Sequence, residues 1–329
     1  MTRSSAPRDG AGPLVSVIIP NWNGARHLPT CLESLRRQTM GVFETIVVDN
    51  GSTDDSLALL GREYPEVEVL ALGENRGFAG ACNVGLRAGR GRFLVLLNND
   101  TEVEPDWLAA VVDAFRRHPE AGMIASKMLL FDRRDAFHTA GDFYRVDGIP
   151  GNRGVWQEDV GQYDQEEYVF SACGGSAAYR REMLDQVGLL DEDFFYSCED
   201  VDLAWRAQLV GWRCVYTPQA VVYHKLSATG GGTTASFYDG RNTIYLLAKD
   251  YPGDLWRRHW AAILRAQTRI VLEALWAWRG EAARARLIGV LAGLSGASRM
   301  LRKRSRIQEQ RTVDRAYLES ILTQVDESP

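Results

Sequence analysis

At 329 residues, with 45% hydrophobic and 25% charged side chains, the chain has the composition of a large globular fold, and disorder along its whole length is excluded. Its five cysteines, Cys31, Cys82, Cys173, Cys198 and Cys214, are odd in number and dispersed, which argues against a disulfide framework or zinc knot and fits a reducing cytoplasm. The net charge of −5 divides unevenly, −11 over residues 1–250 and +6 over residues 251–329, so a basic tail follows an acidic body and no domain-wide basic face offers itself to nucleic acid.

Residues 1–12 are polar, without an apolar core, and read as a disordered tail rather than a signal peptide. No run of about 18 apolar residues predicts a membrane span. Residues 14–20, LVSVIIP, form a short β-branched run that reads as a buried strand, and 43–48 and 93–97 repeat it. Helical stretches over Leu28 to Gln38, Ser56 to Tyr64 and Gly80 to Ala88 alternate with them, which predicts a mostly parallel, doubly wound sheet with helices on both faces. Ligands bind such sheets beyond the carboxyl ends of the strands. Those ends carry Asn21, Trp22, Asn23 and Gly24, then Asp49, Asn50, Gly51, Ser52, Thr53 and Asp54, then Asn98, Asn99, Asp100 and Thr101. Any one of these is equally a plain turn, whereas three in register predict a polar crevice.

Residues 168–190 read as a strand, a loop at Gly174 and Gly175, and a helix ending near Gly188. The stretch FFYSCEDVDLAWRA (194–207) then sets Glu199, Asp200 and Asp202 between aromatic and apolar neighbours, where burial raises a carboxyl pKa and makes a base, although an acidic first turn also caps a helix. Arg206 stands four residues from Asp202, a spacing that favours a structural ion pair. A strand from Arg213 to Tyr216 precedes His224, and the loop 227–234, with Gly230–Gly232, has the composition of a lid. The division expected is an α/β domain over 13–235 and a helical region over 236–329. The latter carries a stripe of Trp256, Trp260, Ile263, Ile270, Ala274 and Trp278 and a basic end at Arg302, Lys303, Arg304 and Arg306. That end suits an anionic membrane surface, a hairpin packed on the body, or a homodimer interface.

The absence of a P-loop and of a G-x-G-x-x-G after the first strand excludes mononucleotide kinases and dehydrogenases. Asp100, ending an apolar strand, needs a partner, and a divalent cation with a bound diphosphate supplies one. His224 reads either as a second ligand or as a packed residue.

The ordered set VSVIIPNWNG, VVDNGSTDDS, ENRGFAGACNVGL, LLNNDTEVEPDWL, GLLDEDFFYSCEDVDLAWRA and VYHKLSATGG, over residues 14–250, resembles glycosyltransferase family 2, the inverting enzymes of GT-A fold, and within it the bacterial rhamnosyltransferase-like branch. The resemblance implies a Rossmann-like GT-A α/β fold with a C-terminal helical extension. It implies that Asn21, Asn23, Asp49, Asn50 and Gly51 hold the nucleoside, and that Asn75, Arg76, Gly77 and Asn83 line the donor pocket. The family's Asp-x-Asp metal motif falls on Asn98, Asn99 and Asp100, so the first acid is lost here. Asp100 and His224 are the implied ligands of Mg²⁺ or Mn²⁺, and weaker metal affinity follows. Asp200 matches the catalytic base. Glu199, Gly174 and Gly175 fall on the acceptor side, and Trp205 either stacks on the acceptor or packs in the core. The implied donor is a nucleotide-diphosphate sugar, foremost dTDP-L-rhamnose. A UDP-hexose or UDP-galactofuranose, or a non-catalytic sugar-nucleotide binder, is the alternative. The implied acceptor is a hydroxyl of a cell-surface glycan or lipid-linked saccharide, met in the cytoplasm or at the inner face of the plasma membrane.

Overall fold

The computed structural model describes residues 12–225 and 232–325. Nearly all of the expected tail, and Gly230 and Gly231 of the expected lid, lie outside the described residues. The first half follows the alternation of the sequence: β1 (Val15–Asn21), α1 (Leu28–Arg36), β2 (Phe43–Asp49), α2 (Ser56–Glu63), β3 (Glu68–Ala71), α3 (Gly77–Ala88) and β4 (Phe93–Leu97). These strands pair in parallel in the order β4, β1, β2, β3. Because side chains alternate across a strand, Val15, Val17 and Ile19 of β1 enter the core under α1, while Ile18 enters the one under α3. Both faces are thus covered, which is why the strand reads as an unbroken apolar run.

The chain continues through β5 (Thr101–Val103), α4 (Trp107–Arg117), β6 (Ala121–Leu130), β7 (Phe137–Thr139), β8 (Asp142–Tyr144), β9 (Pro150–Asn152), β10 (Glu167–Val169), β11 (Ser176–Arg180), α5 (Arg181–Val187), α6 (Glu199–Leu209) and β12 (Arg213–His224). A single large sheet runs β10-β12-β6-β11-β4-β1-β2-β3, with β11 antiparallel between β4 and β6. The sequence gives no sign of β6, because Ser126 and Lys127 interrupt its apolar run. Lys127 is tolerated there by ion pairs to Asp159 at 2.5 Å and Asp164 at 3.3 Å. β12 is also longer than the expected Arg213–Tyr216, resuming pairing with β6 at Val221 after a break and ending at His224, between Leu130 of β6 and Thr101 of β5.

The C-terminal part comprises α7 (Thr233–Lys249), α8 (Gly253–Trp276), α9 (Glu281–Glu309) and α10 (Arg315–Ile321). α7 begins ahead of the expected boundary at 235. One buried cluster joins sheet residues such as Tyr179 to Tyr245, Tyr251, Met300 and Leu318 of this layer. A chain of charges seals the junction. Asp202 is fully buried on α6 and takes Arg206 Nε at 3.0 Å and the ammonium of Lys249. Lys249 also reaches Asp191 at 2.6 Å, and Lys303 binds both Asp191 and Asp193 at 2.7 Å. Lys303 of the expected basic end therefore turns inward, as does Arg304, half-buried against Ala248. The predicted aromatic stripe is also corrected: Ile263 and Ala274 are buried, but Trp260 and Trp278 face solvent, so the stripe is not one packed face.

Candidate active site

A cavity of about 820 Å³ opens at the carboxyl ends of β1, β2 and β4 and is closed on its far side by α6 and α7. Its first end is a mesh of amides. Asn21 donates to Asp49 Oδ2 at 3.1 Å and accepts from Asn99 Nδ2 at 2.7 Å. Asn50 donates to Asn75 Oδ1 and to the Gly77 carbonyl, each at 3.1 Å, and accepts from the Arg76 N–H at 2.8 Å. Asn21, Trp22, Asn50, Asn75, Gly77, Asn98 and Asn99 line the cavity. Asp49 lies beneath them, holding Asn21 and the Ser52 N–H. Asn23 is exposed and fixes Thr53, and the Arg76 side chain points outward toward Glu74. Gly51, at φ +76°, passes so close to the Glu74 backbone that a Cβ would lie 2.7 Å from it. Asn83 does not line the pocket as expected: its amide is a buried strut that donates to the Leu190 carbonyl and to Glu192, tying α3 to the loop before α6.

At the middle of the cavity β4 and β12 bring Asp100 and His224 together, with Nε2 and Oδ1 3.1 Å apart. The approach lacks hydrogen-bond geometry, and this buried carboxylate oxygen has no other partner among the described residues. Two lone pairs that share a cation stand in this way, and 3.1 Å is close to the cis edge of an octahedron with bonds of about 2.1 Å. His224 Nε2 also receives the Asn98 amide at 3.3 Å, while its Nδ1 faces His138 Nδ1 at 3.0 Å. Burial, and then the neighbouring His224, push the His138 pKa down to about 3, so it stays neutral. With the proton of this contact on His224 Nδ1, the His224 lone pair stands on Nε2, where the Asn98 amide donates and where a metal would take that amide's place, the Nδ1 partner having the outer-shell role typical of metal-bound histidines. The residues therefore fit Mg²⁺ or Mn²⁺. Asp142, Cys173 and Asp200 also converge within 4.8 Å. Burial raises the pKa of both Asp142 and Cys173, so that set favours protons over a hard cation, and Asp100–His224 is the better metal position.

The far end holds carboxylates. Asp200 Oδ2 accepts the Gly174 N–H at 2.7 Å and Oδ1 the Val201 N–H at 2.8 Å, so backbone groups fix its orientation. A Cβ on Gly174 would stand 3.3 Å from Asp200 and 3.5 Å from Glu199, and Gly175 is similarly close to Asn98 at 3.4 Å. These glycines let the loop before β11 touch both ends of the site. Burial raises the pKa of Asp200; it raises Glu199 further, with Asp200 adding to it. Glu199 Oε2 has no protein partner among the described residues. Trp205, expected on the acceptor or in the core, is corrected to the core: it is 0% exposed, with Tyr144 and Phe170 edge-on at 5.0 Å.

The loop leading into α6 is strained. Phe195, Ser197 and Cys198 all have positive φ, between 62° and 68°, which costs L-residues about 1 kcal/mol or more each. The loop is clamped from α7. Asn242 donates to the carbonyls of Phe194, Tyr196 and Ser197 at 2.6–3.1 Å, and Arg241 donates to those of Asp193 and Phe194. From the other side the Phe78 N–H donates to the Phe195 carbonyl at 2.7 Å. His138, Asp142, Arg241 and Asn242 are absent from the sequence reading. The available signals were FHTAGD, a histidine and an acid around Thr, Ala and Gly, and DGRN, a polar run inside a helix that continues into apolar residues.

The model of the family described as Glycosyl transferase family 2 matches residues 16–188, more than half of the chain. The chain belongs to that family. A Mycobacterium tuberculosis N-acetylglucosaminyl-diphospho-decaprenol L-rhamnosyltransferase is 28% identical over 268 residues, covering 74% of this chain and 87% of the relative. An uncharacterised Sinorhizobium fredii protein, y4gI, is 34% identical over 70% of the chain, but the match spans only 26% of that longer protein. Among solved structures, the Pyrobaculum calidifontis mannosyltransferase PcManGT, in complex with GDP-Man and Mn²⁺, covers 96% of this family 2 chain at a TM-score of 0.54 and 19% identity. Staphylococcus aureus TarS residues 1–349, in complex with UDP, cover 90% at a TM-score of 0.54. Both share the fold, GT-A.

Proposed function

We propose that the protein is an inverting hexosyltransferase that uses a nucleotide-diphosphate sugar and a hydroxyl acceptor. The observation that carries the reading is a buried, backbone-oriented Asp200 in the same cavity as the amide mesh and the Asp100–His224 pair. The amides of Asn21, Asn50 and Asn75 face the nucleoside. Asp100 and His224 would hold Mg²⁺ or Mn²⁺, which supplies charge neutralisation to the departing diphosphate. An acceptor hydroxyl is far too weak an acid to ionise near neutrality, so ionised Asp200 takes its proton as the oxygen attacks the anomeric carbon. The new C–O bond forms opposite the breaking bond to the diphosphate, and the configuration inverts. Glu199, whose buried Oε2 has no protein partner among the described residues, lines the same end, and so does Asp142.

Similarity to the mycobacterial enzyme supports L-rhamnose as the sugar and a lipid-diphosphate-linked saccharide as acceptor; dTDP-L-rhamnose as the donor and the inner face of the plasma membrane as the meeting place follow from the family resemblance of the sequence. No helix among the described residues is long and apolar enough to cross a membrane, so contact with that membrane would be peripheral. UDP-hexose or UDP-galactofuranose is the competing donor class. The test is a panel of donors with Mg²⁺ and Mn²⁺, followed by thermal shift and by product formation. Turnover of dTDP-rhamnose is expected. Turnover confined to a UDP-sugar overturns the donor, and tight binding without turnover of any donor overturns catalysis.

A further inference from the structure

α8 carries a face that nothing among the described residues covers. Trp260, Leu264, Leu272 and Trp276 recur at four-residue spacing, with Thr268 completing the row. They are 59%, 59%, 59% and 92% exposed, and Trp278, 60% exposed, continues the patch into the turn toward α9. An exposed apolar row with two tryptophans at one end is costly in water and marks an interaction surface. Arg265 and Arg269 border the row along the same shallow groove, and Arg279 sits in the turn. The only acid among the described residues lining that groove, Glu273, stands 3.6 Å from Arg269.

The opposite side of α8 belongs to the active site. Ile270, nearly half a helical turn from Leu272, lines the cavity, together with Arg286 of α9. Arg286 is the only arginine or lysine among the described residues lining the cavity, and it stands 3.4 Å from Asp239, itself hydrogen-bonded to Ser197 in the catalytic loop. One helix, about 10 Å across, thus separates an outward basic and aromatic face from the acceptor end of the site.

We propose that the outer face of α8 and the 277–280 turn dock on an anionic lipid bilayer, so that Arg286, at the rim, meets the diphosphate of a lipid-linked acceptor. The inference rests on the transfer reaction proposed above for its acceptor, but not for its surface. Tryptophans seek the headgroup boundary, leucines enter the acyl edge, and arginines pair with anionic headgroups. A second copy of the chain would bring like charges face to face, which disfavours a homodimer through this surface.

The experiment is sedimentation of the full chain with phosphatidylglycerol–phosphatidylcholine vesicles and with pure phosphatidylcholine vesicles, alongside transfer to a soluble hydroxyl acceptor. Binding to the anionic vesicles only is expected, weakened about fivefold by each of Arg265→Gln and Arg269→Gln, from roughly 1 kcal/mol per surface arginine. The double variant Leu272→Ser with Trp276→Ser should lose at least about tenfold in vesicle binding and keep its transfer to the soluble acceptor. Arg286→Gln should lose turnover of a lipid-diphosphate acceptor far more than turnover of the soluble one. Wild-type protein that ignores anionic vesicles overturns the proposal. So do variants that bind as well as wild type, and so does a dimer that the Trp276 variant converts to monomer. Vesicle binding without any sugar transfer would overturn the proposed activity while leaving the docking face standing.

Discussion

The two ends of the cavity are built on different principles. The end proposed for the nucleoside uses neutral amides, Asn21, Asn50, Asn75 and Asn99, whose hydrogen bonds join the carboxyl ends of neighbouring parallel strands and the loops that follow them. The end proposed for the acceptor buries carboxylates in the first turn of α6, after a loop with three positive-φ residues, and depends on α7, an element outside the sheet, to hold that loop. At the first end the positive φ values fall on Gly51, Gly77 and Asn23, residue types that tolerate them, whereas the group proposed as the base is placed where desolvation raises its proton affinity, at a cost in strain that the C-terminal helices offset.

The sharpest way to break this comparison is Asp200→Asn. Donor binding should survive nearly unchanged while transfer falls by about 10²–10⁴-fold, the usual contribution of a positioned base. An Asp200→Asn enzyme with wild-type turnover removes the assignment. The same group sets the pH profile. Asp200 works only when ionised and its pKa is raised, first by burial, so kcat/KM should fall as pH drops through a value above the ordinary aspartate value of about 3.9. Because Glu199 and Asp200 interact, the limb belongs to the pair rather than to one residue. An acid limb at or below about 3.9 contradicts the desolvated site.

Next in size is the seam between the ends. Lys249→Met leaves Asp202 buried beside Asp191 with Arg206 alone to balance it, and breaking one partner of a buried pair costs about 3–5 kcal/mol. Urea denaturation should show that loss. A change within about 1 kcal/mol would mean that Asp202 is already neutral or solvated. Asp191 gives the seam a pH dependence. Burial alone would raise its pKa, but Lys249 and Lys303 hold it below the usual range, so its stabilisation is present above the unfolded carboxylate pKa and lost as pH falls through the lower folded value.

How much of this was legible follows from the same contrast. β1, β2 and β4, with the polar residues after them, can be read directly, because buried parallel strands have an apolar run and a sharp end. Asp100, His224 and Asp200 are placed by ordered motifs, and the structure gathers them into one cavity. Trp205 illustrates the limit: an aromatic in the same segment as Asp200, the proposed base, lies on the opposite face of α6 and packs against Tyr144 and Phe170. β6 hid behind Lys127, whose ion pairs are formed only after folding. Arg241 and Asn242 escaped because a side chain that donates to remote carbonyls leaves no periodicity to find.

A smaller effect tests the metal position. His138→Ala removes the partner of His224 Nδ1, frees the ring to turn or change tautomer, and should weaken Mn²⁺ binding by about 10–100-fold, the usual loss for an outer-shell partner. Titration of the full protein followed by Mn²⁺ electron paramagnetic resonance reads this directly, and unchanged affinity would place the ion away from His224.

The smallest expected change runs in the opposite direction and sharpens the contrast between neutral and charged ends. Asn98 occupies the place where the family motif has its first acid, and its amide stands 3.3 Å from His224 Nε2. Asn98→Asp exchanges a neutral neighbour for a carboxylate at a site that already holds Asp100, and hard cations bind more tightly as the ligands gain charge. Mn²⁺ affinity should rise on the order of tenfold in the same titration. Without the ion, two carboxylates would face each other in a buried place, so the variant should be less stable than wild type in the presence of a chelator and recover when metal is returned. An Asn98→Asp protein whose affinity and stability are both indifferent to metal would mean that Asp100 and His224 meet for structural reasons alone, and that the middle of the cavity belongs with its neutral end.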